Sequence, residues 1–303
     1  MKKAVIDIGT NSVKLIIGER LREQGAKILF DANAITKLGE GMRESGALSQ
    51  PAMARTAQAV VKFADFARSQ GAEEVACVGT MALRAAKNAA AFAALVRAEG
   101  GPEIRVISGE EEAALSSRAM LNSIAGAKSG DILIFDTGGG STEFARAAEG
   151  VVGSSFSVPA GAVTLTEENF KSAPADPHKV CSVIAGLTKK FSEAGVGPGA
   201  KMVIGAGGNV TAIAAVAAGL DQYDPNRIHG STLTREEIMR QTALYAKCTA
   251  EERRKIRGLS PKRADIILGG ACIITAALEA AGAGEMTVSD RSLRHELLAD
   301  ILG

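Results

Sequence analysis

Ile132-Leu133-Ile134-Phe135-Asp136-Thr137-Gly138-Gly139-Gly140-Ser141-Thr142-Glu143 decides the fold. An apolar run leads into a carboxylate, a triple glycine, two hydroxyls and a second carboxylate. A short apolar run closed by glycines predicts a buried strand ending in a turn whose backbone amides can face an anion. The N-terminus repeats the order in Ala4-Val5-Ile6-Asp7-Ile8-Gly9-Thr10-Asn11-Ser12: apolar strand, Asp, one residue, Gly, then hydroxyls. Two copies imply two related halves.

Outward from the first copy, residues 3–9 and 13–18 predict a hairpin, with a third strand over 26–35. After a loop over 37–49, Ser49 and Pro51 open a helix reaching about residue 69, with Met53, Ala57, Val60, Val61, Ala64 and Ala67 along one face. A strand over 74–78, a helix over 88–98 and a strand over 104–107 follow. Ser108-Gly109-Glu110-Glu111-Glu112 then opens another helix, its acids favoured by the positive end of the helix dipole. The second half predicts a meander over 131–135, 143–147 and 151–157, and helical residues 161–166 and 178–194. A strand over 201–204 then runs into Gly205-Ala206-Gly207-Gly208-Asn209 and a helix over 210–218. Helices over 236–247 and 262–281, a strand over 286–289 and a helix over 293–302 complete the chain.

The bulk properties suit this reading. Across 303 residues the hydrophobic content is 46% and the aromatic content 4%, as expected for α/β packing of Ala, Val, Ile and Leu. With 35 basic and 34 acidic residues, the net charge of +1 gives no general reason to bind nucleic acid or an anionic membrane, so any polyanion site is local. Cys77, Cys181, Cys248 and Cys272 stand far apart without metal-site spacing and predict buried free thiols. No stretch approaches the roughly 18 apolar residues of a membrane helix, and the apolar run after Lys3 meets Asp7 too soon for a signal sequence. A cytoplasmic protein is the expectation.

Chemistry can sit at three places. The two Asp-x-Gly turns offer convergent amides and the hydroxyls of Thr10, Ser12, Ser141 and Thr142. Their carboxylates, Asp7, Asp136 and Glu143, would repel phosphate unless Mg²⁺, which takes oxygen ligands, lay between. The second place is Gly205–Asn209, a strand-to-helix loop at the positive end of a helix; its spacing is neither Walker A nor GxGxxG. The third is Glu110-Glu111-Glu112. A glutamate there either complements the helix dipole or takes a proton from an attacking water, and spacing does not choose between these roles. Arg84, Arg257, Lys262, Arg263, Arg291 and Arg294 are the cations that could meet phosphate. His178, His229 and His295 are isolated and read as solvated or structurally hydrogen-bonded residues, not as metal ligands.

In this order, Asp7–Ser12, Asp136–Glu143 and Gly205–Asn209 resemble the superfamily of sugar kinases, 70-kDa heat-shock proteins and actin. Further motifs narrow the match: Gly79-Thr80-Met81-Ala82-Leu83-Arg84-Ala85-Ala86-Lys87-Asn88, Val106-Ile107-Ser108-Gly109-Glu110-Glu111-Glu112-Ala113, Arg263-Ala264-Asp265-Ile266-Ile267 and Ser289-Asp290-Arg291-Ser292-Leu293-Arg294. Together these resemble the exopolyphosphatase and guanosine pentaphosphate phosphohydrolase family.

The resemblance implies an α/β fold of two actin-like, ribonuclease H-like domains, duplicated βββαβα units with a cleft between them. Residues 1–124 with 290–303 would form the first domain and 125–289 the second. It implies hydrolysis of a terminal phosphoanhydride of inorganic polyphosphate, or conversion of pppGpp to ppGpp. Glu112 would be the base, with Glu111 the fallback, and Arg84 would contact phosphate. Gly9, Thr10, Asn11, Ser12, Gly138, Gly139, Gly140, Ser141, Thr142, Gly205, Gly207, Gly208 and Asn209 would form the phosphate loops. Asp7, Asp136 and Glu143 would hold Mg²⁺ or another divalent cation. A homodimer is expected, in a short form without the C-terminal HD-like domain of longer relatives. Thr137 stands where the family usually has an apolar residue. An ATP-dependent kinase or a non-catalytic (p)ppGpp sensor would keep the same loops, and product analysis separates them.

Overall fold

The computed structural model describes residues 1–21, 25–171 and 174–303. The chain divides into two compact units, Met1–Leu115 with Leu293–Gly303, and Ser116–Ser292. Both connections are brief: the first falls inside a helix, ahead of the expected position at 124, and the second lies immediately before the last helix.

In the first unit, β1 (Lys2–Ile8), β2 (Ser12–Leu21) and β3 (Gly25–Ile35) form an antiparallel meander. After the short α1 (Met42–Ser45), α2 (Gln50–Ser69) starts where Ser49 Oγ accepts a hydrogen bond from Ala52 N at 3.3 Å, with a proline in the first turn. It buries Ala52, Met53, Thr56, Ala57, Val60, Ala64 and Ala67, close to the predicted face, while Val61 is only half-buried. β4 (Ala72–Gly79) then pairs parallel to β1, and α3 (Met81–Ala85), α4 (Ala89–Ala98) and the two-residue β5 (Arg105–Val106) follow. The sheet order is β3-β2-β1-β4-β5. The next helix, α5 (Gly109–Ser123), crosses the unit division at Leu115/Ser116.

The second unit repeats the plan. β6 (Asp131–Thr137), β7 (Thr142–Ala148) and β8 (Val151–Val158) form a meander, followed by α6 (Ala162–Asn169) and α7 (Pro177–Glu193). β9 (Met202–Ala206) pairs parallel to β6 and enters α8 (Gly208–Ala217). α9 (Pro225–Ile228), β10 (Thr232–Thr234), α10 (Arg235–Lys247), α11 (Ala250–Arg253), α12 (Ile267–Ala280) and β11 (Glu285–Ser289) complete it, with sheet order β10-β11-β9-β6-β7-β8. α13 (Leu293–Leu302) belongs to the first unit.

The element sequence matches the expected duplication, with differences that have local causes. Residues 262–281 do not form one helix. Pro261–Arg263 is a 3₁₀ turn, Ala264 and Ile266 are buried, and the regular helix begins at Ile267. The small elements α1, α9, β10 and α11 carry too few apolar residues for any periodicity to show. β6 and β9 are continuous apolar runs, as central strands covered on both faces should be. Phe135, Phe144 and Phe191 fill the core of the second unit, whereas Val5, Ile16, Val78 and the α13 residues Leu293, Leu297, Leu298 and Leu302 share a cluster in the first. Cys77 and Cys272 are buried as expected, but Cys181 on α7 is exposed. Among the described residues no helix is long and apolar enough to cross a membrane.

Candidate active site

In the first unit, β1 delivers Asp7 to the end of the sheet with only 3% exposure. Gly9 N donates to Ser12 O at 2.9 Å and closes the turn. The turn's carbonyls are committed: Thr10 O accepts from Gly39 N at 2.9 Å, and Asn11 O accepts from both Thr36 N and Lys37 N at 3.0 Å. The amides of Thr10 and Asn11 donate to no backbone carbonyl among the described residues. Asn11 Nδ2 is buried without a hydrogen-bond partner. Buried donors without acceptors are uncommon, and a bound anion oxygen would satisfy them. Asp7 faces Lys14 across the hairpin, with Nζ 3.6 Å from Oδ2.

The second unit closes its turn by the same bond, Gly138 N to Ser141 O at 2.9 Å. Here the carbonyls are taken by the start of α6: Gly138 O by Ala162 N at 3.0 Å and Gly139 O by Val163 N at 2.8 Å. The amides of Gly139 and Gly140, at the positions of Thr10 and Asn11, again donate to no backbone carbonyl among the described residues. Asp136 lies directly opposite Glu143 in the ladder. Ser116 Oγ donates to Asp136 Oδ2 at 3.0 Å, and Ser141 Oγ donates to Glu143 Oε1 at 2.6 Å. The Thr142 hydroxyl donates to Ala160 O at 2.6 Å. The hydroxyls of Ser141 and Thr142 are thus engaged within the protein, and the turn's open donors are its amides.

The glycine loop joins this turn through β9, where Ala206 pairs with Asp136. Gly207 has φ +109°, and a Cβ there would lie 2.3 Å from Thr137 O, so both conformation and close approach require glycine. A Cβ on Gly208 would meet Arg263 Nη2 at 2.1 Å: the guanidinium lies directly on the start of α8. Among the described residues no carboxylate is paired with Arg263, and burial pulls its pKa below the ordinary value. Gly205, expected in the loop, is inside β9; a side chain there would strike Met286 and Phe135, so packing explains it. Asn209 is buried against Gly270 of α12.

The acidic run separates into different roles. Ser108 Oγ accepts from Glu111 N at 3.0 Å, capping α5. Glu111 points to an exposed ion pair with Arg105 at 2.5 Å, whereas Glu112 is buried and accepts from Arg84 Nη1 at 2.6 Å. Arg84 also donates to Ile107 O at 3.0 Å. Its helix is tied to the Asp7 turn, since Thr80 N donates to Ile8 O at 3.1 Å. Two of the other candidate cations are engaged elsewhere: Arg257 pairs with Asp221, and Arg294 with Asp31. His229 is structural, with Nε2 3.1 Å from Ser123 O and Nδ1 accepting from Asp290 N at 3.2 Å.

The model of the Ppx/GppA phosphatase family matches residues 16–303. The chain belongs to this family. Exopolyphosphatase 2 of Mycobacterium tuberculosis is 30% identical over 316 residues, covering 99% of this chain and 98% of that protein. The crystal structure of the Aquifex aeolicus Ppx/GppA family member superposes with a TM-score of 0.84 at 32% identity, covering 100% of this chain and 97% of that one. A bifunctional 3-dehydroquinate synthase/phosphatase from Fusobacterium nucleatum is also 30% identical, in a match that spans 95% of this chain and 45% of that protein. The two sheets described above are the actin-like domains of the Ppx/GppA fold, and the chain is a phosphohydrolase.

Sequence reasoning missed Lys14, Ser116 and Ser157, all of which touch the named carboxylates. Lys14 could have been found by counting across the short Gly9–Ser12 turn. Ser116 needed the tertiary position of α5. Arg263 stood among the candidate cations, but only its contact with Gly208 distinguishes it.

Proposed function

We propose that this Ppx/GppA phosphatase is an exopolyphosphatase, which hydrolyses the terminal phosphoanhydride bond of inorganic polyphosphate and releases orthophosphate. The observation that carries the reading is the matched pair of turns. Each has the same closing bond, and each leaves two consecutive amides, Thr10 and Asn11 or Gly139 and Gly140, available to phosphate oxygens. The name of the equally long relative at 30% identity supports polyphosphate as the substrate.

In this reaction a water oxygen attacks the terminal phosphorus, the bridging P–O bond breaks, and its electron pair leaves with the shortened chain. Glu112 takes the water proton. Its burial and its contact with Arg84 hold the carboxylate in one place, as a water-orienting base requires. Arg263, at the start of α8, supplies fixed positive charge to phosphate oxygens. Gly207, Gly208 and the amides of the first turn of α8 extend that seat.

Asp136 and Glu143 would hold Mg²⁺, with Asp7 the corresponding carboxylate of the first unit. The donor set is all oxygen, which suits that ion. Among the described residues no group of three or more His, Cys, Asp or Glu side chains is close enough to bind a metal, so substrate oxygens and water would complete its shell. The ion would supply charge neutralisation. The proposed setting is cytoplasmic, with the chain acting as a homodimer.

The test is phosphate release measured side by side on long polyphosphate, short polyphosphate and pppGpp, with and without excess EDTA. Release from polyphosphate that EDTA abolishes is expected. Turnover of pppGpp alone would reassign the substrate, turnover unaffected by EDTA would remove the metal, and binding of ppGpp with no product from any substrate would make the chain a sensor.

A further inference from the structure

The row of residues across the second sheet points to a role for a side chain outside the glycine turn. Asp136, Glu143 and Ser157 stand directly opposite one another on β6, β7 and β8. Ser157 Oγ donates to Glu143 Oε1 at 2.8 Å, the same oxygen that accepts from Ser141 Oγ at 2.6 Å. Two hydroxyls, one from the glycine turn and one from β8, therefore fix one oxygen of a carboxylate that is only 4% exposed.

The backbone is built to bring this about. The ladder runs regularly from Ala148↔Val151 to Ala147↔Val152, then shifts by one residue before Ala145↔Ser155. Counted straight, Glu143 would face Phe156. The extra residue in β8 instead puts Phe156 beside Phe144, with ring centroids 5.6 Å apart, and turns Ser157 toward Glu143. A bulge commonly re-aims a side chain next to a functional site.

We propose that Ser157 is a positioning residue for Glu143, holding the carboxylate in the orientation in which it serves the divalent cation and the substrate phosphates. The proposal rests on the exopolyphosphatase reading for its assay, but not for its binding measurement. Ser157→Thr and Ser157→Val have nearly the same shape and differ in the hydroxyl; both suit a strand. Kinetics on polyphosphate are to be measured for each, together with Mn²⁺ affinity by electron paramagnetic resonance and melting temperature. Loss of a residue that orients a metal-binding carboxylate typically costs about 10–100-fold in metal affinity or activity. Ser157→Val is expected to fall in that range in both Mn²⁺ affinity and kcat, with little change in KM, while Ser157→Thr stays within about twofold of the unsubstituted protein. Equal Mn²⁺ affinity and equal kcat in the two variants would overturn the proposal. If the unsubstituted chain released no phosphate from polyphosphate, the functional reading would fall and the Mn²⁺ comparison would still decide the role of Ser157. Should either β-branched variant fail to fold, Ser157→Ala against the unsubstituted protein gives the same comparison.

Discussion

Arg84 Nη1 lies 2.6 Å from Glu112 Oε2, and the same nitrogen is held by Ile107 O at 3.0 Å. The carboxylate proposed to activate water is thus held by a guanidinium that is itself anchored to the backbone. Glu112→Gln keeps the shape and removes the base, and is expected to lower kcat on polyphosphate by about 10²–10⁴-fold with KM little changed. Steady-state phosphate release checks this. Glu111→Gln touches only an exposed pair with Arg105, and its effect should stay within about fivefold, the scale of such pairs. A larger loss in Glu111→Gln than in Glu112→Gln would exchange their roles.

Arg263 against Gly208 gives a second prediction. Arg263→Ala should raise KM for polyphosphate by about 10–100-fold, the equivalent of a hydrogen bond to a charged group. Gly208→Ala should weaken both folding and substrate binding, because the new methyl overlaps the guanidinium. Combining the two substitutions should recover part of the lost melting temperature, since removal of Arg263 relieves the overlap. Strict additivity of the melting shifts would show that the contact is not tight in solution.

Asp31 provides a pH dependence. Burial alone would raise its pKa; His295, with Nε2 3.5 Å from Asp31 Oδ2, and the charge and hydrogen bonds of Arg294 outweigh it and bring the carboxyl down to about 2. An unfolded Asp titrates near about 4. A lowered native pKa stabilises the fold above the unfolded value, and the benefit is lost as pH falls toward the native value. The melting difference between the unsubstituted protein and Asp31→Asn should therefore be full at pH 5–7 and vanish between about pH 4 and about pH 2. A difference that persists unchanged at pH 2 would contradict the ion-pair account.

Thiol labelling reports on packing. Cys181 is exposed, whereas burial pushes the Cys272 thiol up to about 12 and raises that of Cys77 further. Reaction of the native protein with a disulfide reagent at pH 8 is expected to modify Cys181 readily and to spare Cys77 and Cys272 until denaturant is added. Peptide mass mapping identifies the site. Early modification of Cys272 would mean that α12 opens locally.

The duplicated architecture was legible because its signal is local. Apolar runs ending in Asp and Gly mark β1 and β6, and the helices carry clear caps at Ser49 and Thr234. The turn amides were legible for the same reason. What could not be read was anything set by register or by distant packing. Ser157 lies opposite Glu143 only because of a one-residue shift that no propensity encodes. Arg263 looked like any surface cation until the fold set it on Gly208. That Glu112 is buried and Glu111 is not follows from which face of α5 packs inward, a property of tertiary packing that adjacent glutamates do not reveal.

The two sheets share a plan but differ in charge at the same lattice position. Lys14 stands across from Asp7, and Glu143 stands across from Asp136. One row is electrically neutral and the other carries two formal negative charges. The two halves are therefore not interchangeable: the first carries a lysine across from its aspartate, and in the second the proposed divalent cation would supply the corresponding charge. Under the proposed mechanism, turnover would then follow the supply of free divalent cation, a control that a symmetric repeat carrying lysine in both places would lack.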